Sequence, residues 1–149
     1  VMCLRVFLGP STTEPRAHLV HGAQKLGAAF QKINFLRDLA ADWHELARSY
    51  FPDVDPENLT EEQKTALVDE IESDLVAAAG TIGDLPRGCQ SAVWAALLLF
   101  AELARLIRAT PAAALLTTRV RVPSATKARI LAQARFGRRT ALRLSGSTA

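Results

Sequence analysis

Four polar side chains, Gln31, Asn34, Asp38 and Asp42, stand at intervals of three, four and four. At about 100° per residue they fall within roughly 80° of arc, so an α-helix is the element that collects them on one side. Leu26, Phe30, Ile33, Leu36 and Leu39 occupy the rest of the same cylinder. The stripe carries a penalty of its own. Carboxylates one turn apart repel each other and weaken a helix by about 0.2–0.5 kcal/mol. Asp38 and Asp42 are therefore a candidate cation site, with an exposed acidic stripe as the plain alternative.

The rest of the chain favours helices too. Hydrophobic residues make up 49% of it, mostly Ala and Leu, and only 6% is aromatic. Ala and Leu have high helix propensity, and β-branched runs are scarce. The predicted fold class is all-α, with 149 residues giving one domain a real core. A long helix is expected over residues 16–46, stopped by Pro52 and Pro56. Thr60-Glu61-Glu62-Gln63 reads as a capping box that opens a second helix, ending near Ala79. A loop follows over 80–88. The helix expected over 89–109 is apolar almost all round, which predicts a central position. One or two helical turns fit 112–116. Arg119-Val120-Arg121-Val122 reads as extended chain before Pro123, and a last helix runs from Ser124 to about Leu142. Residues 1–9 read as the tail of an element that starts earlier, and Val1 is not an initiator residue.

Charge is unevenly divided. Residues 1–80 carry seven Lys/Arg and thirteen Asp/Glu, whereas residues 81–149 carry eleven and two. From Arg119 onward all eight charged residues are basic. Such a tail suits an anionic lipid surface, a polyphosphate or a solvated face. Nucleic acid is a poorer match, because neither a helix-turn-helix signature nor interleaved aromatics accompany the charge. Cys3 and Cys89 fit no metal-ligand spacing and no secreted disulfide scaffold. The N-terminus has no signal-peptide pattern, and the longest apolar run, 92–101, is too short to cross a bilayer. The expected location is cytoplasmic, at most peripheral at the inner face of the membrane through the basic C-terminus.

Asp38 and Asp42 are oxygen donors one turn apart. Mg²⁺ is commonly held by one or two carboxylates together with substrate phosphates and water. Gln31 and Asn34 can hydrogen-bond water, phosphate or hydroxyl groups from the same stripe. Arg48 can pair with a phosphate oxygen, and Tyr50 can meet a cation with its ring or simply pack. Gly27, one turn before Gln31, leaves room for a ligand or a neighbouring helix. His18, His21 and His44 are scattered and read as surface or packing residues, and Trp43 reads as packing.

These residues resemble the squalene/phytoene synthase family. The run from Gly27 through Gln31, Asn34, Arg37 and Asp38 to Asp42 is similar to that family's second aspartate-rich motif. Arg48-Ser49-Tyr50-Phe51-Pro52 resembles the R-x-Y-x-P that ends it. Residues 89–107 and Arg119-Val120-Arg121-Val122-Pro123 with Lys127 are weaker echoes in family order. The resemblance implies an isoprenoid-synthase helical fold, of which residues 1–149 would be the C-terminal half. It implies head-to-head condensation of two prenyl diphosphates through a cyclopropyl diphosphate intermediate. Asp38 and Asp42 would bind Mg²⁺, or Mn²⁺, through the diphosphates. Gln31, Asn34, Arg37 and Arg48 would bind substrate, and Arg48 and Tyr50 would be catalytic. A phytoene synthase of carotenoid biosynthesis, taking geranylgeranyl diphosphate, is the nearest match. Gln31-Lys32 before the Asn also resembles squalene synthases, which would need NADPH, so a squalene or dehydrosqualene synthase with a C30 product is one alternative, and a non-catalytic assembly or scaffold protein derived from the family is the other. Three departures stand out. The first aspartate-rich motif is not in this chain, and family members are roughly twice as long, a single larger helical domain. The spacing from Asp42 to Arg48 is one residue longer than in many members, which turns a helical side chain by about 100°. Ala47 stands where glycine is frequent.

Overall fold

The computed structural model describes residues 2–9, 14–38 and 59–135. Among them every regular element is helical: α1 (Met2–Leu8), α2 (Ala17–Asp38), α3 (Glu61–Ile82), α4 (Arg87–Ala109), α5 (Ala112–Leu115) and α6 (Ser124–Arg135). The all-α expectation holds. Leu39, Asp42, Trp43, His44, Arg48 and Tyr50 lie outside the described residues, as does the chain beyond Arg135.

Local chemistry sets the helix boundaries. The Thr60 hydroxyl accepts from the Gln63 backbone N–H, and the Gln63 side chain accepts from Thr60 N, each at 3.1 Å. Two of the orphan donors of α3 are thereby satisfied, as the capping-box motif predicts. Pro86 stands just before α4 and Pro111 just before α5, where a missing N–H costs nothing.

α2, α3 and α4 pack on one another, α1 rests on α2, and α6 rests on α4. The pairings of Lys32 with Glu70 and of His18 with Asp84 run α2 antiparallel to α3. Arg108 with Asp69 does the same for α3 and α4. Ile33 and Leu36 from α2, Val68, Ile71 and Leu75 from α3, and Leu97 and Ile107 from α4 are fully buried and form one cluster. Their period is that of the apolar faces read from sequence.

Two expectations need correction. α3 runs to Ile82 and takes in Gly80, leaving only residues 83–86 as the connection. Ala78 and Ile82 are buried, so tertiary packing carries the helix past a glycine that its propensity alone disfavours. The central helix is α3, not the more apolar α4. α3 buries nine residues, three of them the charged Lys64, Glu72 and Asp74. On α4, Trp94, Leu99 and Phe100 are only partly covered. Apolar content measures what a helix can bury. How closely its neighbours cover it decides what it does bury, and α3 is covered along its length by α2 on one side and α4 on the other.

α2 and α3 come into tight contact at Gly22. A Cβ there would stand 2.1 Å from Thr81 Oγ1 and 2.9 Å from Thr81 Cβ. Gly22→Ala must therefore push the two helices apart and should cost about 1–3 kcal/mol. Adding Thr81→Ala, which removes the two nearest atoms, should recover part of that loss. Urea unfolding of the three variants measures it, and a Gly22→Ala chain as stable as the parent would contradict the close contact.

Candidate functional site

α2 carries two chemically different regions along one axis. Residues 31–38 hold the polar stripe, and residues 19–30 hold a face of small and apolar side chains. The helix keeps Gln31, Asn34 and Asp38 on one side, with Gln31 exposed and the other two half-buried. Where Asp42, Arg48 and Tyr50 stand relative to them falls outside the described residues.

Asp38 sits between two guanidinium groups. Arg37 grips it with both forks, Nε to Oδ1 at 3.0 Å and a terminal nitrogen to Oδ2 at 2.6 Å. Arg119 approaches from the other end of the chain, Nε to Oδ1 at 2.7 Å. The Arg37 hydrogen bonds are the main cause that holds the Asp38 carboxyl below its ordinary range, and Arg119 adds to it against partial burial. Asp38 is thus ionised, and the cluster of one carboxylate and two guanidiniums carries a net positive charge. Bidentate guanidinium geometry also matches phosphate oxygens.

Arg119 owes its position to the extended segment before α6. Val120 and Val122 are buried while Arg119 and Arg121 are exposed. Side chains of extended chain alternate sides, so anchoring the two valines turns Arg119 outward, where it meets the end of α2. Sequence reasoning singled out this segment as an echo of a family motif and did not place Arg119 in the site. The R-V-R-V alternation was the signal that could have done so.

Beside the apolar stretch of α2 lies a cavity of about 230 Å³. Leu4 and Phe7 of α1, Leu19, Leu26 and Phe30 of α2, and Ile82 of α3 line it with Val93 of α4. Phe30 stacks on Phe100, with ring centroids 3.7 Å apart and planes 16° from parallel. Gly27 also lines the cavity, and nothing stands within 4 Å of where its Cβ would be. The room expected beside Gly27 is present, one helical turn from Gln31. The arrangement offers an anionic head group two guanidiniums and an apolar tail a largely apolar cavity along the same helix.

The remaining buried charges tie helices together. Asp74, nearly buried on α3, accepts from Lys25 Nζ at 2.8 Å and Lys32 Nζ at 2.9 Å. Burial works against ionisation of Asp74, and these hydrogen bonds more than offset it, so its carboxyl lies below the usual range. Lys32 also reaches Glu70. Burial disfavours its charge, the two carboxylates outweigh that, and its ammonium is held above its ordinary value. On the far side, Lys64 Nζ donates to Thr110 O at 2.7 Å and Arg108 O at 3.3 Å, closing the C-terminus of α4. Glu61 accepts from the Ala112 N–H at the start of α5. His18 pairs with Asp84 at 3.1 Å on the surface, as expected of a surface histidine.

Among the described residues no group of three or more His, Cys, Asp or Glu side chains gathers to hold a metal ion. Asp38 offers hard carboxylate oxygens, which here are taken by Arg37 and Arg119; a single such carboxylate could hold a hard cation such as Mg²⁺ only together with other oxygen ligands. No described helix is long and apolar enough to cross a membrane.

The sequence profile of the squalene/phytoene synthase family matches residues 1–126. A relative from Blakeslea trispora, described as a bifunctional lycopene cyclase/phytoene synthase, is 26% identical over 124 residues, 72% of this chain and 20% of its own length. The chain thus spans about a fifth of that relative. No solved structure matches it significantly.

Asp38 and Asp74 both sit below the ordinary carboxyl value of 3.8 in the folded chain. The stability they add is complete above that value and is lost as the pH falls through their lower folded values. Urea midpoints should hold from about pH 7 to 5 and drop by about pH 3. Asp74→Asn should cost about 2–3 kcal/mol near neutral pH and show a shallower acid loss. Parallel acid curves for parent and variant would contradict it.

Proposed function

We propose, since this chain belongs to the squalene/phytoene synthase family, that it is part of a phytoene synthase-like prenyltransferase joining two prenyl diphosphates head to head. The observation that carries this reading is the pairing along α2 of a guanidinium–carboxylate cluster, Arg37, Asp38 and Arg119, with an apolar cavity. A prenyl diphosphate has the matching amphiphilic form, a strongly anionic head on a long hydrocarbon chain.

In this reading Arg37 and Arg119 exchange the Asp38 carboxylate for diphosphate oxygens when substrate arrives. Asp38 and Asp42 would be the residues that hold Mg²⁺, which would supply neutralisation of leaving-group charge. Gln31 and Asn34 orient the head group and the reacting carbons. Arg48 and Tyr50 act on the diphosphate and the allylic cation. Leu26 and Phe30 keep water from the cation, and the stacked faces of Phe30 and Phe100 can attract its charge. The first aspartate-rich motif, absent from this chain, would face α2 from another part of the polypeptide, and residues 1–149 alone would be inactive. The phytoene assignment, with geranylgeranyl diphosphate as substrate, follows the similarity to the Blakeslea relative. Lys32, the residue that resembles squalene synthases, has a structural use in joining Glu70 and Asp74, so its identity does not argue for an NADPH-dependent product. The exposed Arg121, Lys127 and Arg129, which follow Arg119 in the chain, suit peripheral contact with anionic lipid, each worth about 1 kcal/mol near the surface.

Calorimetric titration with geranylgeranyl thiodiphosphate and Mg²⁺ tests the head-group site. Arg37→Ala and Arg119→Ala should each weaken binding about tenfold, roughly 1.4 kcal/mol. Asp38→Asn should remove the Mg²⁺ dependence. Equal affinity in all four chains would mean that the cluster only joins α2 to the 119–122 segment. In the intact polypeptide, a product formed only with NADPH would overturn the phytoene assignment. Vesicle sedimentation should rise with anionic lipid content, and indifference to it would remove the membrane contact.

A further inference from the structure

The contact of α2 with α3 at Gly22 and Thr81 forms part of the cavity wall. On α2 its lining runs from Phe30, near the polar stripe, back to Leu19. Because α3 is antiparallel, Ala78, Thr81 and Ile82 follow the same path toward the connection at Leu85. Gly22 and Thr81 both line the cavity and press on each other, with no space at Gly22 even for a Cβ. Counting 1.5 Å per residue, this contact lies about 12 Å from the level of Phe30 and about 24 Å from that of Asp38. A tail that starts at the Asp38 cluster and follows α2 passes the side chain of Thr81 before it reaches Leu19.

Thr81 is suited to limiting depth. Its hydroxyl donates to Ala78 O at 2.9 Å within α3, so the donor is already satisfied and the side chain acts on a hydrocarbon by shape. Being β-branched and on a helix, it has few rotamers with which to yield. The absence of a side chain at Gly22 lets α3 approach closely enough to hold Thr81 in the path.

We propose that Thr81, backed by Gly22, is a specificity-determining residue that sets how long a prenyl tail the cavity accepts. This rests on the reading of the cavity as a prenyl site, and the two can fail separately. Thr81→Ala removes two heavy atoms from the path and extends the usable depth. Thr81→Val keeps the shape and removes only the hydroxyl. Val93→Phe, on the α4 wall of the same cavity, fills space instead.

The experiment is titration of the chain with farnesyl and geranylgeranyl thiodiphosphates in the presence of Mg²⁺, with helix content checked by circular dichroism. Thr81→Ala should raise the preference for the longer analogue about threefold to tenfold, close to the effect of exposing or burying one or two methylenes. Thr81→Val should leave the ratio as in the parent, and Val93→Phe should shift it toward the shorter analogue. Should Thr81→Ala fail to fold, Thr81→Ser, which loses only the methyl group, should shift the ratio the same way by less. Binding of both analogues with an unchanged ratio in Thr81→Ala or Thr81→Ser overturns the depth-limiting role and leaves the prenyl site standing. Failure of the parent to bind either analogue overturns the prenyl site, and the role of Thr81 with it.

Discussion

The antiparallel seam between α2 and α3 determines where everything else in this chain can stand. Asp74, a nearly buried carboxylate, is satisfied only if Lys25 and Lys32 of α2 reach it together. Lysines seven residues apart lie two turns apart on one helix face, so one acceptor between them defines the register of the seam. Breaking such a pair leaves a charge in a poorly solvated place, a far larger penalty than a surface ion pair carries. Gly22 against Thr81 sets the separation of the same two helices by steric contact. Electrostatics thus chooses the register and packing chooses the distance.

With the seam in place, the two halves of the candidate site follow from opposite ends of α2. Toward its start, the close approach to α3 and the cover from α1 and α4 leave a cavity walled by hydrocarbon. Toward Asp38, the neighbour is the extended segment whose buried valines turn Arg119 onto the carboxylate. Lys64 and Glu61 anchor the turn that leads to that segment, one at the last carbonyls of α4 and the other at the first N–H of α5. A buried lysine in α3 therefore helps aim an arginine more than fifty residues later in the chain, without belonging to the site.

Much of the fold was legible because it follows from local chemistry. The capping box at Thr60, the breaks at Pro86 and Pro111, and the extended R-V-R-V segment each depend on residues within a few positions of one another. The end of α3 and the identity of the central helix were not legible. Both depend on how completely a face is covered by packed neighbours, and a glycine such as Gly80 is tolerated inside a helix whose next turn is buried. In the candidate site, the stripe from Gln31 to Asp38 was legible from its spacing. The guanidinium pair around Asp38 was not, since Arg119 reaches it across eighty residues.

The sequence by itself determined that this chain is helical, that its polar groups gather in a stripe on α2, and that the stripe has the form of a squalene/phytoene synthase motif. Helical periodicity and capping act over one or two turns, so the order of the residues is enough to specify them. Only the tertiary structure decided that Asp38 is clasped by Arg37 and Arg119, that Lys32 serves the seam with α3, and that Gly22 meets Thr81 on the wall of an apolar cavity. Those outcomes depend on distances between residues far apart in the chain, which exist only once the helices have packed.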